Sequence, residues 1–511
     1  MFIIILTRAF YWQIIKCNEY REKSLNQTYK LVKRSPIRGN IYTSDDFPLV
    51  LNQYQYLMSI YKPNLTEELP VVLNKIKQIV PDFIASSSAS LDKFTNNSNQ
   101  KWITLTTPID ESLISQINFP GITFDFKMSR YYPENNLAKN LIPQLEAYYQ
   151  KSLEGKTSYS YVTKDAIGKI VLSRKSWENE AQNGQDLKTN INRTIQYIVE
   201  KELQNGIDRY GASSGMISII EPATGAILAM TSLSASPSAS SSAQFRNAPI
   251  LDLFEPGSIF KPLVVAMALD SKSINLDYIC QKCNSPHTIG QYTITNHDDA
   301  LHPDSNLQDI IKNSDNIGMS YVIEQIGLKK FLEYFNKLGL TRKTGIDLQG
   351  EAHPMQKNYW APIDLATASF GQGFAVTQIQ MLSSFNVLAN NGQLIRPQIA
   401  STKKYSSEIV FSPETIKNIK SILQYGVENG VVNQFRPKNL QVCAKSGTAQ
   451  IAIGGKYADS STIASYIGFS PCNNPKFTMI VTINNPTTSP WGSSTAAPIW
   501  FNLAEKISNL L

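Results

Sequence analysis

The sequence predicts a multidomain α+β protein, on three observations. At 511 residues the chain is longer than one compact core can use, so two or three domains are expected. Helical apolar spacing marks Pro70–Pro81, Leu137–Lys151 and Arg193–Gln204, and the run Leu263-Val-Val-Ala-Met-Ala-Leu269 would bury a helix. Strand-like runs recur at Gly215–Met230, Gln441–Ile453, Ser461–Phe469 and Thr478–Asn484. Ala85–Asn99, rich in Ser and Asn, reads as an exposed loop.

Composition narrows the class. Hydrophobic residues make up 42% and charged residues 17%, which describes a globular protein with ample apolar surface to bury. The net charge is +7, with basic residues spread along the chain instead of gathered into a nucleic-acid patch. Mild basicity suits an anionic wall or membrane surface. No phosphate loop, dinucleotide fingerprint or internal repeat is visible.

The chemistry is carried by three short segments. Glu255-Pro-Gly-Ser258-Ile-Phe-Lys261-Pro sets a hydroxyl and an amine three residues apart, on one face if the segment is helical. A serine hydroxyl needs a base to become a nucleophile. Lysine can be that base once desolvation or neighbouring positive charge lowers its pKa. Pro256 and Gly257 precede Ser258 as a turn would, placing it at a helix start where N–H groups favour developing negative charge. Ser314-Asp315-Asn316 and Lys445-Ser446-Gly447-Thr448 follow in order. Ser314 can relay a proton between Lys261 and a leaving amine, and Asn316 can hold a substrate amide. The second segment reads as strand; Gly447 lets a substrate backbone come close. The N–H groups of Ser258 and Thr448 would form an oxyanion hole, and Lys445 could attract a substrate carboxylate. The bland alternative is a surface serine, a turn and an edge strand with a glycine. Three segments together, in this order, are the signature shared by penicillin-binding proteins and class A β-lactamases.

Around them the chain resembles the class B penicillin-binding proteins, the monofunctional transpeptidases of cell-wall synthesis. The resemblance runs through Ile219-Ile-Glu-Pro-Ala-Thr-Gly-Ala-Ile-Leu-Ala-Met230, Thr344-Gly-Ile-Asp-Leu-Gln-Gly-Glu351, Trp360 to Phe370-Gly-Gln-Gly373 and Ala389 to Pro397. In the N-terminal half, Arg38-Gly-Asn-Ile-Tyr42, Arg130-Tyr-Tyr-Pro133 and Gly184 to Gln196 resemble a non-catalytic pedestal. It implies a pedestal over 18–206 and a transpeptidase domain over 207–511. The latter would be an antiparallel sheet with helices on both faces, among them helices from Ser258, Leu307 and Val376. Arg38 and Arg130 would brace pedestal strands. Tyr54, Tyr56, Tyr61, Tyr131 and Tyr132 read as core or domain-interface packing in preference to partner contacts. Ser232 to Ala243, where relatives carry an aromatic and acidic turn, reads as a loop near the active-site rim.

The resemblance also implies a two-step acyl transfer without metal or cofactor. Ser258, deprotonated by Lys261, attacks the penultimate D-Ala carbonyl of a stem pentapeptide and expels terminal D-Ala. The amine of a neighbouring peptide then takes the acyl group. Catalytic residues would be Ser258, Lys261, Ser314, Asn316, Lys445 and Thr448, with Ser446, Gly447, Thr448 and Asn316 binding substrate. β-Lactams would acylate Ser258, and a membrane glycan polymerase would be the family partner. Two rivals stand beside this. A hydrolase of β-lactamase type needs a deacylating base, for which Glu351 is the candidate. A non-catalytic division scaffold would be expected to have lost Ser258 or Lys445, and both are present.

The resemblance implies a single-pass protein of the cytoplasmic membrane with its catalytic domain outside. A membrane anchor needs about 20 apolar residues. Met1–Ile15 is shorter and carries Arg8, so most of an anchor is expected to be missing upstream. A short interfacial helix is the alternative, and no small-residue cleavage site follows.

Five cysteines, an odd and sparse set, argue against a disulfide framework. Cys280 and Cys283, with His287, His297 and His302 close behind, could bind zinc tetrahedrally, pair with each other, or stay unpaired in a hairpin; the last is preferred. Cys443 reads as core packing.

Overall fold

The computed structural model describes the chain apart from residues 98, 135–136, 164–175, 178–180, 236–245, 356, 401–406 and 454–455. It divides into two compact units. The first comprises Met1–Ile41, Val50–Pro133 and Lys151–Asp186; the second comprises Tyr42–Leu49, Glu134–Gln150 and Leu187–Leu511.

The first unit opens with helices α1 (Phe2–Phe10) and α2 (Cys17–Thr28), joined by a π-turn at Tyr11–Ile15. The apolar side chains of α1 are exposed. Among the described residues no helix is long and apolar enough to cross a membrane. Strand β1 (Pro48–Tyr61) follows, then helices α3 (Leu69–Ile79) and α4 (Pro81–Asn96), and strands β2 (Trp102–Ile109) and β3 (Ile122–Tyr131). Both β2 and β3 pair antiparallel with β1.

Helix α4 occupies most of the segment expected to be a loop. Ile84, Ser87, Leu91 and Phe94 recur at helical spacing, and Leu91 and Phe94 are buried with Met58, Ile76 and Leu105. The serines masked that stripe, and Ser87 itself is satisfied by Thr107 Oγ1 at 3.1 Å. Arg38 and Arg130 do brace β1: Asn52 Nδ2 donates to the Arg38 carbonyl, and Arg130 Nη1 donates to Asn52 Oδ1 at 3.1 Å. The tyrosines divide. Tyr61 packs on Trp102, and Tyr56 donates to Glu111, but Tyr54, Tyr131 and Tyr132 are exposed, so core packing does not describe them. Tyr54 meets the edge of Phe126, which is itself exposed, and the alternation of the strand turns both rings outward.

The second unit is built on one antiparallel sheet. Short helix α5 (Ile142–Tyr148) begins later than the spacing from Leu137 suggested, with Pro143 in its first turn where its missing N–H costs nothing. Helix α6 (Arg193–Tyr210) is capped by Asn192 and ended by Gly211 in the left-handed conformation. Strands β4 (Ser214–Ile220) and β5 (Ile227–Ser234) form a hairpin. The expected rim loop begins inside β5, and the rest of it, from Ser236, lies outside the described residues. Helices α7 (Lys261–Asp270), α8 (Leu307–Lys312), α9 (Asn316–Lys337), α10 (Pro362–Ala368), α11 (Gln378–Ala389) and α12 (Pro413–Asn429) come next. Strands β6 (Cys443–Ile453), β7 (Lys456–Ser470) and β8 (Phe477–Asn484) and helix α13 (Ala496–Ser508) complete the unit. The sheet order is β5-β4-β8-β7-β6, with every neighbour antiparallel.

Helices cover both faces. On one face α6 and α13 bury Val199, Leu203, Trp500 and Phe501 against Ile217, Tyr466 and Val481. On the other lies α11, buried along its whole length. It starts at Gln378 and not at Val376, because Thr377 and Gln380 form a capping box. Gln378 pins it in register: its carboxamide accepts from Ser218 and donates to the Met216 carbonyl and Thr482.

The cysteines depart most from expectation. Cys280 bonds to Cys283, and Cys443 bonds to Cys472. Antiparallel pairing sets Cys443 opposite Phe469, three residues from Cys472, a proximity that a separation of 29 residues hides in the sequence. Closing a loop of that length restricts the unfolded chain by roughly 3.5 kcal/mol. The double variant Cys443→Ala/Cys472→Ala is therefore expected to melt several degrees lower than the parent in calorimetry, with the difference vanishing under a strong reductant.

Candidate active site

The nucleophile candidate sits on a turn whose geometry depends on glycine. Ser258 belongs to a 3₁₀ turn (Gly257–Phe260) that leads into α7, so Lys261 and not Ser258 is the first α-helical residue. Gly257 has φ +59°, and a Cβ there would stand 3.0 Å from the Thr448 carbonyl on β6. Its N–H donates to the Gly371 carbonyl at 2.9 Å. Gly371, with φ +80°, lies so close that a Cβ would come within 2.1 Å of the Gly257 oxygen. This contact is the physical content of Phe370-Gly-Gln-Gly373.

Lys261 is fully buried. Its Nζ donates to Ser314 Oγ at 3.2 Å, to Asn316 Oδ1 at 2.8 Å and to the Ser314 carbonyl. Burial, reinforced by the Lys445 charge and opposed by Asp315, holds its pKa well below the ordinary lysine value. Lys445, reaching in from β6, donates to the same Ser314 Oγ at 3.1 Å and to the Ser446 carbonyl at 2.9 Å. Burial lowers its pKa to about 7. One serine hydroxyl therefore lies between two buried amines. Ser314 is held there by a backbone in the left-handed region, φ +55°, uncommon for a residue with a side chain.

Strand β6 closes the other side. Gly447 lies against the nucleophile turn: a Cβ would stand 2.8 Å from the Ile259 side chain and 3.3 Å from the Pro256 carbonyl. Thr448 Oγ1 accepts from the Gly492 N–H at 3.0 Å, which leaves its own O–H to donate into the cleft. Between these walls runs a cleft of about 910 Å³, lined by Ser258, Ser314, Asn316, Ser446, Gly447 and Thr448. Lys261 and Lys445 are buried behind this lining and reach it through Ser314 and Asn316. Of the eight residues singled out in the sequence, six line the cleft and the two lysines are hydrogen-bonded to Ser314 in its wall.

The cleft also holds residues that the motifs did not reveal. Asn296, His297, His302, Gln372 and Trp491 line it, and the His297 and Trp491 rings meet 5.2 Å apart. Asp315, inside a recognised motif, proves to be the cap of α9. Trp491 and Gly492 follow the last strand without any local pattern, so only the fold identifies them. The zinc reading does not survive. The two thiols are bonded to each other; His287 faces Ser320 and Glu324, and His302 faces Asp315. Among the described residues no group of three or more His, Cys, Asp or Glu is arranged to hold a metal. Glu351 is not in the cleft lining. Both its oxygens are engaged, by the N–H groups of Thr344 and Gly345 and by the Thr344 hydroxyl, so it clamps a turn.

Comparison with known proteins identifies the family. The family described as penicillin binding protein transpeptidase domain matches residues 215–505, and the penicillin-binding protein dimerisation domain matches residues 33–142. The chain is similar to the probable peptidoglycan D,D-transpeptidase PenA of Neisseria gonorrhoeae, 26% identical over 95% of this chain and 86% of that protein. Stage V sporulation protein D of Bacillus subtilis is 29% identical over 98% of this chain and 83% of its own length. In fold, it resembles the crystal structure of penicillin binding protein 2X from Streptococcus thermophilus, with a TM-score of 0.75, 20% identity, and coverage of 94% of this chain and 80% of that one. Because the transpeptidase match alone spans more than half of the chain, behind a dimerisation domain, the protein belongs to the class B penicillin-binding proteins.

Proposed function

We propose that the protein is a serine peptidoglycan D,D-transpeptidase that crosslinks stem peptides and is acylated by β-lactams. The observation that carries this is the Ser314 hydroxyl held between Lys261 and Lys445 beside Ser258. In the first step neutral Lys261 takes the Ser258 proton, and Oγ bonds to the carbonyl carbon of the penultimate D-Ala. The oxyanion is received by the N–H groups of Ser258 and Thr448. The C–N bond to terminal D-Ala breaks, and its nitrogen takes a proton passed through Ser314 from the Lys261 ammonium. In the second step a stem-peptide amine attacks the ester carbon, its proton returns to Ser258 Oγ, and the crosslink leaves. Lys445 and the Thr448 hydroxyl receive the donor's terminal carboxylate, Asn316 and Ser446 orient its amides, and Gly447 lets its backbone approach β6.

The apolar N-terminal helix and the family's chemistry support attachment to the cytoplasmic membrane, with the catalytic unit outside and a membrane glycan polymerase as partner. The domain assignment that accompanies this reading is a pedestal over 18–206 and a transpeptidase domain over 207–511. With benzylpenicillin, intact-mass spectrometry is expected to show one added acyl group that persists for many turnover times of a hydrolase. Ser258→Ala should show none. An adduct on the Ala variant, or one lost within seconds from the parent, sinks the proposal.

A further inference from the structure

Behind the Ser-Asp-Asn segment lies a side chain that belongs to none of the three motifs. Asn296 is buried, and its Oδ1 accepts from the N–H groups of Asn316 at 2.7 Å and Ile317 at 3.3 Å, the first two of α9. Its Nδ2 donates to the Ala300 carbonyl at 2.8 Å. Asp315 Oδ1 takes the next donor, the Gly318 N–H, while its Oδ2 faces His302 Nδ1 at 3.3 Å. A helix start leaves its first N–H groups without intrahelical partners, and here buried side chains supply them all.

The cap has a consequence for chemistry because of what Asn316 touches. Its side-chain Nδ2 donates to the Thr295 carbonyl, so both its backbone and its carboxamide are tied to the 295–296 pair. Its Oδ1 is then turned to accept from Lys261 Nζ at 2.8 Å. The hydrogen bonds run unbroken from Asn296 through Asn316 to Lys261. We infer that Asn296 is a positioning residue for acyl transfer, holding Asn316 in the orientation that receives Lys261 and faces the substrate amide. This rests on the reading of Ser258 as acyl carrier.

Four groups near Lys261 bear on the test. Lys445 reaches it from β6, Asp315 from the turn before α9, and His297 from the 295–302 segment; His302 contacts Asp315. Asn296→Ala removes the acceptor and nothing charged. Asn296→Asp keeps the acceptor for both N–H groups and adds a second carboxylate beside Asp315, which should make Lys261 hold its proton to higher pH.

The experiment is the second-order rate constant for benzylpenicillin acylation of the full chain across pH, with melting temperatures for each variant. Asn296→Ala is expected to slow acylation about 10²-fold at every pH, the effect of a misplacement near 1 Å. Asn296→Asp should recover most of that rate when compared with the parent at the same alkaline pH, with its acid limb displaced upward. A residue serving stability alone would lower the melting temperatures and leave the acylation rate of the folded Ala variant close to the parent's. The inference is overturned if the Ala variant is acylated within about twofold of the parent. Should the Ala variant not fold, Asn296→Ser, whose single short hydroxyl cannot serve both N–H groups in place of the carboxamide, takes its place under the same twofold criterion. Failure of the parent itself to be acylated strikes the function proposal, not Asn296.

Discussion

Lys261→Met is expected to slow penicillin acylation by about 10²–10⁴-fold, the range that a positioned general base supplies. Methionine fills the buried space of the lysine stem, so the loss reports the amine. The pH dependence follows from the two lysines. Lys261 must be neutral to accept a proton, and its lowered pKa makes that fraction grow as pH rises. Lys445 must be positive to attract a carboxylate, and that charge is lost as pH rises through about 7. Acylation by a carboxylate-bearing β-lactam should therefore be bell-shaped, and Lys261→Met should abolish the acid limb. Stability moves too, with a definite sign. A lysine whose folded pKa lies below its unfolded value binds fewer protons when folded. Its penalty is complete below the folded pKa and is relieved as pH climbs toward the ordinary value of 10.5, so for Lys445 the window opens at about 7. The melting temperature should rise from pH 7 to pH 9, and less steeply in Lys261→Met. Wild-type acylation by that variant would refute the assignment of the base.

Gly371→Ala is the second large effect. The added methyl would meet the Gly257 carbonyl at 2.1 Å and its nitrogen at 2.6 Å, both backbone atoms that cannot rotate away. The turn carrying Ser258 must shift, and we expect acylation to fall at least about 10²-fold. Gly373→Ala is the control. Its φ of +81° imposes similar strain, but its nearest neighbours are the ends of the Thr367 and Lys357 side chains, at 3.3 and 3.5 Å. It should cost about 1–2 kcal/mol of stability and spare the acylation rate. Equal rates in the two alanine variants would show that the contact with Gly257 does not position the nucleophile.

What the sequence made legible was local. Ser258 and Lys261 share a turn of helix, Ser314 and Asn316 a single tripeptide, and Lys445 to Thr448 one strand, so spacing alone could propose them. The hydropathy of Thr478–Asn484 and of the run after Lys261 was likewise enough to predict buried sheet and buried helix. The rest depended on long-range pairing. Asn296 acts on residues 20 positions away, the Gly371–Gly257 contact spans the whole middle of the catalytic unit, and Cys443 finds Cys472 only because β6 and β7 align. Helix α4 was misread for a different reason: propensity spoke for Ser and Asn, while burial of Leu91 and Phe94 decided the outcome.

The interleaved course of the chain has a practical corollary for anyone cutting it. The sheet-bearing unit is assembled from three separate stretches, the shortest being Tyr42–Leu49. A fragment starting at residue 207 would begin three residues before the end of α6, discarding Val199 and Leu203 from the layer beneath the sheet. It would also lose Asn140, which donates to Ser232 on β5, and Tyr149, which donates to Asp347. Expression of the catalytic half by simple truncation should give insoluble or penicillin-inert material, whereas fragments that retain residues 42 onward keep all three stretches.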